Sequence, residues 1–171
     1  SRWNLLHVAP LVWTSSRPMV TQGYVVPKHA SGLEILYNGL LFNRDLNISV
    51  YADDSQHLLI TSVENPFLYA FGSRLNYQVD AALNIGTSFV AAKINTRGQE
   101  YWQHTLGADF LWQKNRYEVQ LESVFSIRTQ HSDYYGLYLQ SVIPVSETLY
   151  FIGRYEYMYG DEQPLSLQEN N

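Results

Sequence analysis

From Gly32 to Tyr159 apolar and polar residues alternate almost one by one, broken at nearly regular intervals by short polar stretches. The clearest run is 101–113. Trp102, His104, Leu106, Ala108, Phe110 and Trp112 fall on one side, and Gln103, Thr105, Gly107, Asp109, Leu111 and Gln113 on the other. Successive side chains of a strand point to opposite faces, so a period of two reads as a β-strand with one apolar and one polar face. Lys114-Asn115-Arg116 turns the chain. Residues 117–128 then repeat the pattern, with Tyr117, Val119, Leu121, Ser123, Phe125 and Ile127 set against Glu118, Gln120, Glu122, Val124, Ser126 and Arg128. Two such runs around a tight polar turn predict an antiparallel hairpin.

The same reading predicts eight strands, over 32–42, 46–53, 67–78, 81–92, 101–113, 117–128, 134–143 and 148–159. No run of helical period opened by a capping residue competes with them. The connections alternate between short (43–45, 79–80, 114–116, 144–147) and long (54–66, 93–100, 129–133). The first strand is the least regular, because Leu36, Leu40 and Phe42 mix with Glu34 and Asn38 on its second face. Residues 1–30 read as an irregular segment or external loop. Within it 3–13 is strand-like but interrupted by Pro10, which demotes a run to an edge or a strand end. Residues 160–171 read as a polar tail.

Strands of this length and alternation build either of two barrels. A water-soluble barrel turns the apolar face inward, and a membrane barrel turns it outward. All the strand charges expected here (Glu34, Arg74, Asp109, Glu118, Glu122, Arg128, Arg154, Glu156) fall on the polar faces. Aromatics cluster toward the ends of the apolar faces, where bilayer interfaces place them. The lysines Lys28, Lys93 and Lys114 lie in or beside loops and turns, whereas soluble sheets commonly use lysine on exposed edges. The expected fold is therefore all-β: an antiparallel, up-and-down transmembrane β-barrel, with about eight strands in 31–159 and belonging to a larger porin barrel.

Composition sharpens this. Charged residues are 16% and aromatics 15%, with 14 Tyr. The mean hydropathy of −0.23 suits a barrel, half of whose strand residues face water, and not a helical membrane protein. No apolar run reaches the length of a transmembrane helix. A net charge of −5 argues against a nucleic-acid partner. Without cysteine there is no disulfide framework and no thiolate metal site.

The chain resembles a stretch of the large Gram-negative outer-membrane porins, most of all the phosphate-selective porin family. The resemblance rests on Gly107-Ala108-Asp109-Phe110 followed by Tyr117-Glu118-Val119-Gln120-Leu121-Glu122. It continues in Leu137-Tyr138-Leu139-Gln140 leading to Ile152-Gly153-Arg154-Tyr155-Glu156-Tyr157, and in Arg17-Pro18 through Ser31-Gly32-Leu33-Glu34. It implies a bacterial outer-membrane location, a barrel of more strands than these eight and a homotrimer as one open assembly. That family binds anions through constriction lysines. This chain has no lysine cluster, so phosphate selectivity is not carried over.

The pore-lining residues expected are Arg74, Asn76, Asp109, Glu118, Gln120, Glu122, Arg128, Gln140, Arg154 and Glu156. The lipid-facing aromatics expected are Tyr69, Phe71, Tyr77, Trp102, Phe110, Trp112, Tyr117, Phe125, Tyr155 and Tyr157. Five acids and three arginines on the polar faces give a weak preference for cations at most. No catalytic residue, metal ligand set or cofactor is expected. The histidines 7, 29, 57, 104 and 131 lack ligand spacing, and no nucleophile elbow or phosphate-cradling glycine loop is present. The expected function is passive diffusion of small hydrophilic solutes or ions through an outer-membrane channel, with the bilayer and those solutes as partners. Two alternatives stay open: a soluble lipocalin-like barrel holding an apolar ligand against Trp102, Phe110, Trp112 and Phe125, and a small intact membrane barrel with a structural or adhesive role.

Overall fold

A computed structural model describes residues 32–53, 67–96, 98–129 and 133–160. The expectations for 1–30, for the 54–66 loop and for the tail beyond 160 fall outside the described residues. The described chain forms eight strands: β1 (Gly32–Leu41), β2 (Arg44–Asp53), β3 (Phe67–Gln78), β4 (Leu83–Thr96), β5 (Gln99–Lys114), β6 (Tyr117–Arg128), β7 (Tyr134–Pro144) and β8 (Tyr150–Tyr159). They lie in one antiparallel sheet in sequence order, β1 to β8, with no helix among the described residues. Every strand matches one that the alternation predicts. The sheet is open: β1 and β8 are edges, and closure into a barrel is not seen among the described residues.

The turn end of the sheet is held by local chemistry. Phe42 and Asn43 connect β1 to β2, and Asn115 and Arg116 connect β5 to β6, all four with positive φ. Two-residue hairpin turns of this hand match the right-handed twist of the strands they join. Asp80 Oδ1 accepts hydrogen bonds from the backbone of Ala82 and Leu83 at 2.7 and 2.9 Å and so shapes the β3–β4 turn. Ser146 Oγ accepts from Leu149 N at 3.1 Å in the β7–β8 turn. Arg116 ties two turns together. Its guanidinium donates to Ser146 O at 2.9 Å, Glu147 O at 2.6 Å and Tyr150 OH at 3.0 Å, and it lies over the Tyr150 ring. Arg116→Ala removes this tie from an exposed site, so a loss of about 1 kcal/mol is expected in a urea titration of the folded protein.

The loop end corrects one boundary. Residues 93–100 read as a polar loop, yet β4 runs to Thr96, β5 starts at Gln99, and only two residues join them. Gly98 takes the positive φ that the turn needs, at 83°, and its N–H donates to Asn95 Oδ1 at 3.0 Å. Lys93 and Glu100 form an ion pair of 2.5 Å on the apolar side of the sheet. These residues are polar because the hairpin outlasts the apolar band, and the backbone pairing continues without it.

Burial is inverted relative to a water-soluble sheet. Across β6 and β7 the buried positions include Glu118, Gln120, Glu122, Ser126, Tyr134, Tyr138, Gln140 and Val142. The alternate positions Phe125, Ile127, Tyr135, Leu139 and Ile143 are exposed. A one-sided soluble sheet buries its apolar face. Here the apolar face is open and the polar face is the sheltered one. The polar face also holds a buried apolar cluster near the loop end, of Ala70, Val90, Ala92 and Ile94 with Tyr51 and Tyr101 against it.

Candidate functional site

All ten expected pore-lining residues stand on the sheltered face, and the register explains how. One cross-strand row runs Asn38, Asn47, Asn76, Gly86, Asp109, Glu122, Tyr138, Glu156 through all eight strands. The next row toward the turn end runs Asn84, Leu111, Gln120, Gln140, Arg154. Amides and carboxylates thus form a band two residues deep across the sheet.

The strongest feature of this band bridges strands that are not neighbours. Arg74 on β3 donates from Nη2 to both Asp109 carboxylate oxygens on β5, at 2.9 and 2.8 Å, and to Asn76 Oδ1 at 2.9 Å. β4 lies between them, and it presents Gly86 at that row. A Cβ on Gly86 would lie 2.5 Å from Asp109 Oδ2 and 2.8 Å from Asn76 Oδ1. The missing side chain is therefore what lets the carboxylate lie flat across β4. Arg74 Nε and Nη1 are buried and have no hydrogen-bond partner. Gly72 plays the same part for Tyr51, whose ring end lies 2.7 Å from where a Cβ would be. At these two positions the absence of a side chain relieves crowding on this face.

From the end of β5 to β8 the polar side chains satisfy one another. Gln113 Nε2 donates to Glu118 Oε2 at 2.5 Å, Gln120 Nε2 to Glu122 Oε1 at 2.9 Å, and Tyr138 OH to Gln140 Oε1 at 2.7 Å. Arg154 pairs with Glu156 and lies over the Tyr138 ring at 5.2 Å. Nearer the loop end Arg128 Nε donates to Gln103 Oε1 at 3.0 Å, and Thr105 and Ser126 share a hydrogen bond of 2.9 Å. Burying a carboxylate such as Glu122, 2% exposed, is costly unless hydrogen bonds compensate it, and this network supplies them.

The polar face also holds residues beyond the ten expected pore-lining ones. The alternation already sets Gln103, Thr105, Gln113 and Ser126 there, and the register adds Tyr134 opposite Ser126. Asp45 and Asp53 join the expected charges, making seven carboxylates against three arginines among the described residues. The tyrosines divide between the faces: Tyr51, Tyr134 and Tyr138 are on the polar side, so residue type alone does not mark an interfacial aromatic.

The ten expected lipid-facing aromatics all stand on the opposite face. Tyr69, Phe71, Trp102, Tyr117, Phe125, Tyr155 and Tyr157 are exposed, while Tyr77, Phe110 and Trp112 are half-buried. Near the loop end Phe71 meets Phe89 and Trp102, and His104 stacks on Phe89 and Trp102, with ring centroids 6.3–6.4 Å apart. Tyr135 packs on Tyr157 and Tyr159. Among the described strand residues the charges on this face lie at the two rims: Lys93 and Glu100 at the loop end, Arg44 and Lys114 at the turn end. Among the described residues no group of three or more His, Cys, Asp or Glu is placed to hold a metal ion. No family model, curated protein or solved structure matches this chain.

Proposed function

We propose that this sheet is part of the wall of an outer-membrane channel, its apolar face against lipid and its polar face lining a water-filled passage for small hydrophilic solutes or ions. The observation that carries this reading is the inverted burial: Leu106, Phe125, Ile127, Leu139 and Phe151 open to the surroundings, and Glu118, Gln120, Glu122 and Gln140 sheltered. In water such a surface would bind itself, because exposed contiguous apolar patches of this kind promote association. In a bilayer it is the ordinary arrangement.

The dimensions support the same reading. Trp102 and Trp112 stand ten residues apart on the apolar face of β5, and Glu100 and Lys114 flank them. Ten residues of strand extend about 33 Å. At the tilt usual for membrane barrels this spans about 25 Å of bilayer, the height of the apolar band in such barrels. The alternative of a soluble barrel around an apolar ligand needs Trp102 and Phe125 turned inward, and both are exposed. An open edge in hydrocarbon would leave backbone groups without partners, at several kcal/mol each, so this reading requires β1 and β8 to be paired by further strands.

The experiment is electrical. Purified protein containing this sequence, added to a planar bilayer between unequal KCl solutions, should give discrete conductance steps. The reversal potential should lie modestly on the cation side, because carboxylates outnumber arginines on the polar face. Protein that inserts and gives no steps would remove the channel reading and leave that of a structural or adhesive membrane barrel.

A further inference from the structure

Arg74 is held by one corner of its guanidinium. Its hydrogen bonds to Asp109 and Asn76 all leave from Nη2, while Nε and Nη1 stay buried without a partner. A guanidinium carries its N–H donors in a rigid fork, and the fork is satisfied only when all of it meets acceptors or water. Arg128 and Arg154 are seated differently, over the rings of Tyr134 and Tyr138. In its own row Arg74 stands between Ser49 on β2 and Ser88 on β4. Ser88 Oγ lies 2.6 Å from where a Cβ on Gly107 would be, so it leans over β5, on the far side of β4 from Arg74. These small neighbours leave Arg74 room to rise from the sheet. Its two unsatisfied nitrogens favour the raised position, because water reaches them there.

The flat position depends on Gly86. A Cβ there would meet both anchors at once, Asp109 Oδ2 at 2.5 Å, Asp109 Oδ1 at 2.7 Å and Asn76 Oδ1 at 2.8 Å. All three atoms end side chains, so a methyl group would push the anchors aside and leave the backbone in place. Asp109 falls between Trp102 and Trp112 along β5, so the pair lies inside the span assigned to the bilayer. Charges lining a passage at that depth set which ions enter it. We propose that Arg74 is a selectivity-determining charge of this wall, kept out of the passage by Asp109 and Gly86. Lying flat, it is neutralised by the carboxylate, and the other carboxylates of the polar face favour cations. Raised, it turns the same wall toward anions. Asp109 and Gly86 act through Arg74 and are positioning residues.

This inference rests on the channel reading, and its test separates the two. Purified protein containing this sequence is again placed in planar bilayers between unequal KCl solutions. Gly86→Ala changes no formal charge, yet its reversal potential should shift toward the anion side. Adding Arg74→Gln to Gly86→Ala should abolish that shift. Asp109→Asn keeps the size of the native side chain and should shift the potential the same way. Its shift should exceed that of Asp45→Asn, which removes an equal charge from the polar face at the turn end of β2. Conductance steps with an unmoved reversal potential in Gly86→Ala would overturn the proposal, as would a shift that survives Arg74→Gln. Should Gly86→Ala fail to insert, the remaining comparison decides, and equal shifts from Asp109→Asn and Asp45→Asn would overturn the proposal. Native protein that inserts without steps would remove the channel reading itself, and the inference with it.

Discussion

Ala108→Arg is expected to destabilise the lipid-inserted protein by about 2–4 kcal/mol, the cost of an arginine at the bilayer midplane on the outer face of a membrane barrel. Ala108 stands on the apolar face of β5, six residues from Trp102 and four from Trp112, and pairs with Thr87 and Ser123 on the flanking strands. It is exposed, so an arginine there meets no steric obstacle. A soluble sheet would accept the change within about 0.5 kcal/mol, as exposed positions usually do. The same substitution at Lys114 should cost little, because that position already carries a cation at the rim. Urea titration of vesicle-inserted protein, followed by tryptophan emission, reads the difference between the two sites. Equal tolerance at both would place the apolar face in water.

The second large effect is expected on the polar face. Asp109→Ala leaves the Arg74 guanidinium, 17% exposed, with Asn76 as its remaining hydrogen-bond partner among the described residues. Two of its nitrogens are already buried without a partner. A loss of about 2–3 kcal/mol is expected, as for a partly buried charge deprived of its counter-ion. Arg74→Met combined with Asp109→Ala should recover part of that loss, because it is the unpaired guanidinium that is costly. Gly86→Ala should reproduce the defect in part, since its methyl group occupies the path of the Asp109 carboxylate across β4. Chemical unfolding of these three variants and of Arg74→Met alone, which completes a double-mutant cycle, tests this. Strict additivity of the Arg74 and Asp109 losses would mean that the pair contributes nothing as a pair.

Much of this architecture was legible in the sequence, because strand pattern and face share one signal, the period of two. Trp102 to Trp112 and Glu118 to Glu122 assign their faces with no information about neighbours. The β4–β5 hairpin was not legible. Polar residues from Lys93 to Glu100 look like a loop when polarity stands for the end of a strand, and here polarity marks only the end of the apolar band. The Arg74–Asp109 bridge was also hidden. It depends on the register of three strands and on Gly86 falling in the same row, and no residue-by-residue pattern contains that. The openness of the sheet lies further from local sequence, since closure depends on which strand meets each edge.

If the apolar face meets hydrocarbon and the polar face meets water, the two faces of one strand differ in what reaches them. Single cysteines at successive positions from His104 to Leu111, spin-labelled in vesicle-inserted protein, read that difference. Accessibility to dissolved oxygen, which concentrates in lipid, should peak at the even positions and be greatest at 108. Accessibility to a polar nickel complex should peak at 105, 107, 109 and 111. The reverse phase, or nickel access at every position, would put the apolar face out of contact with lipid.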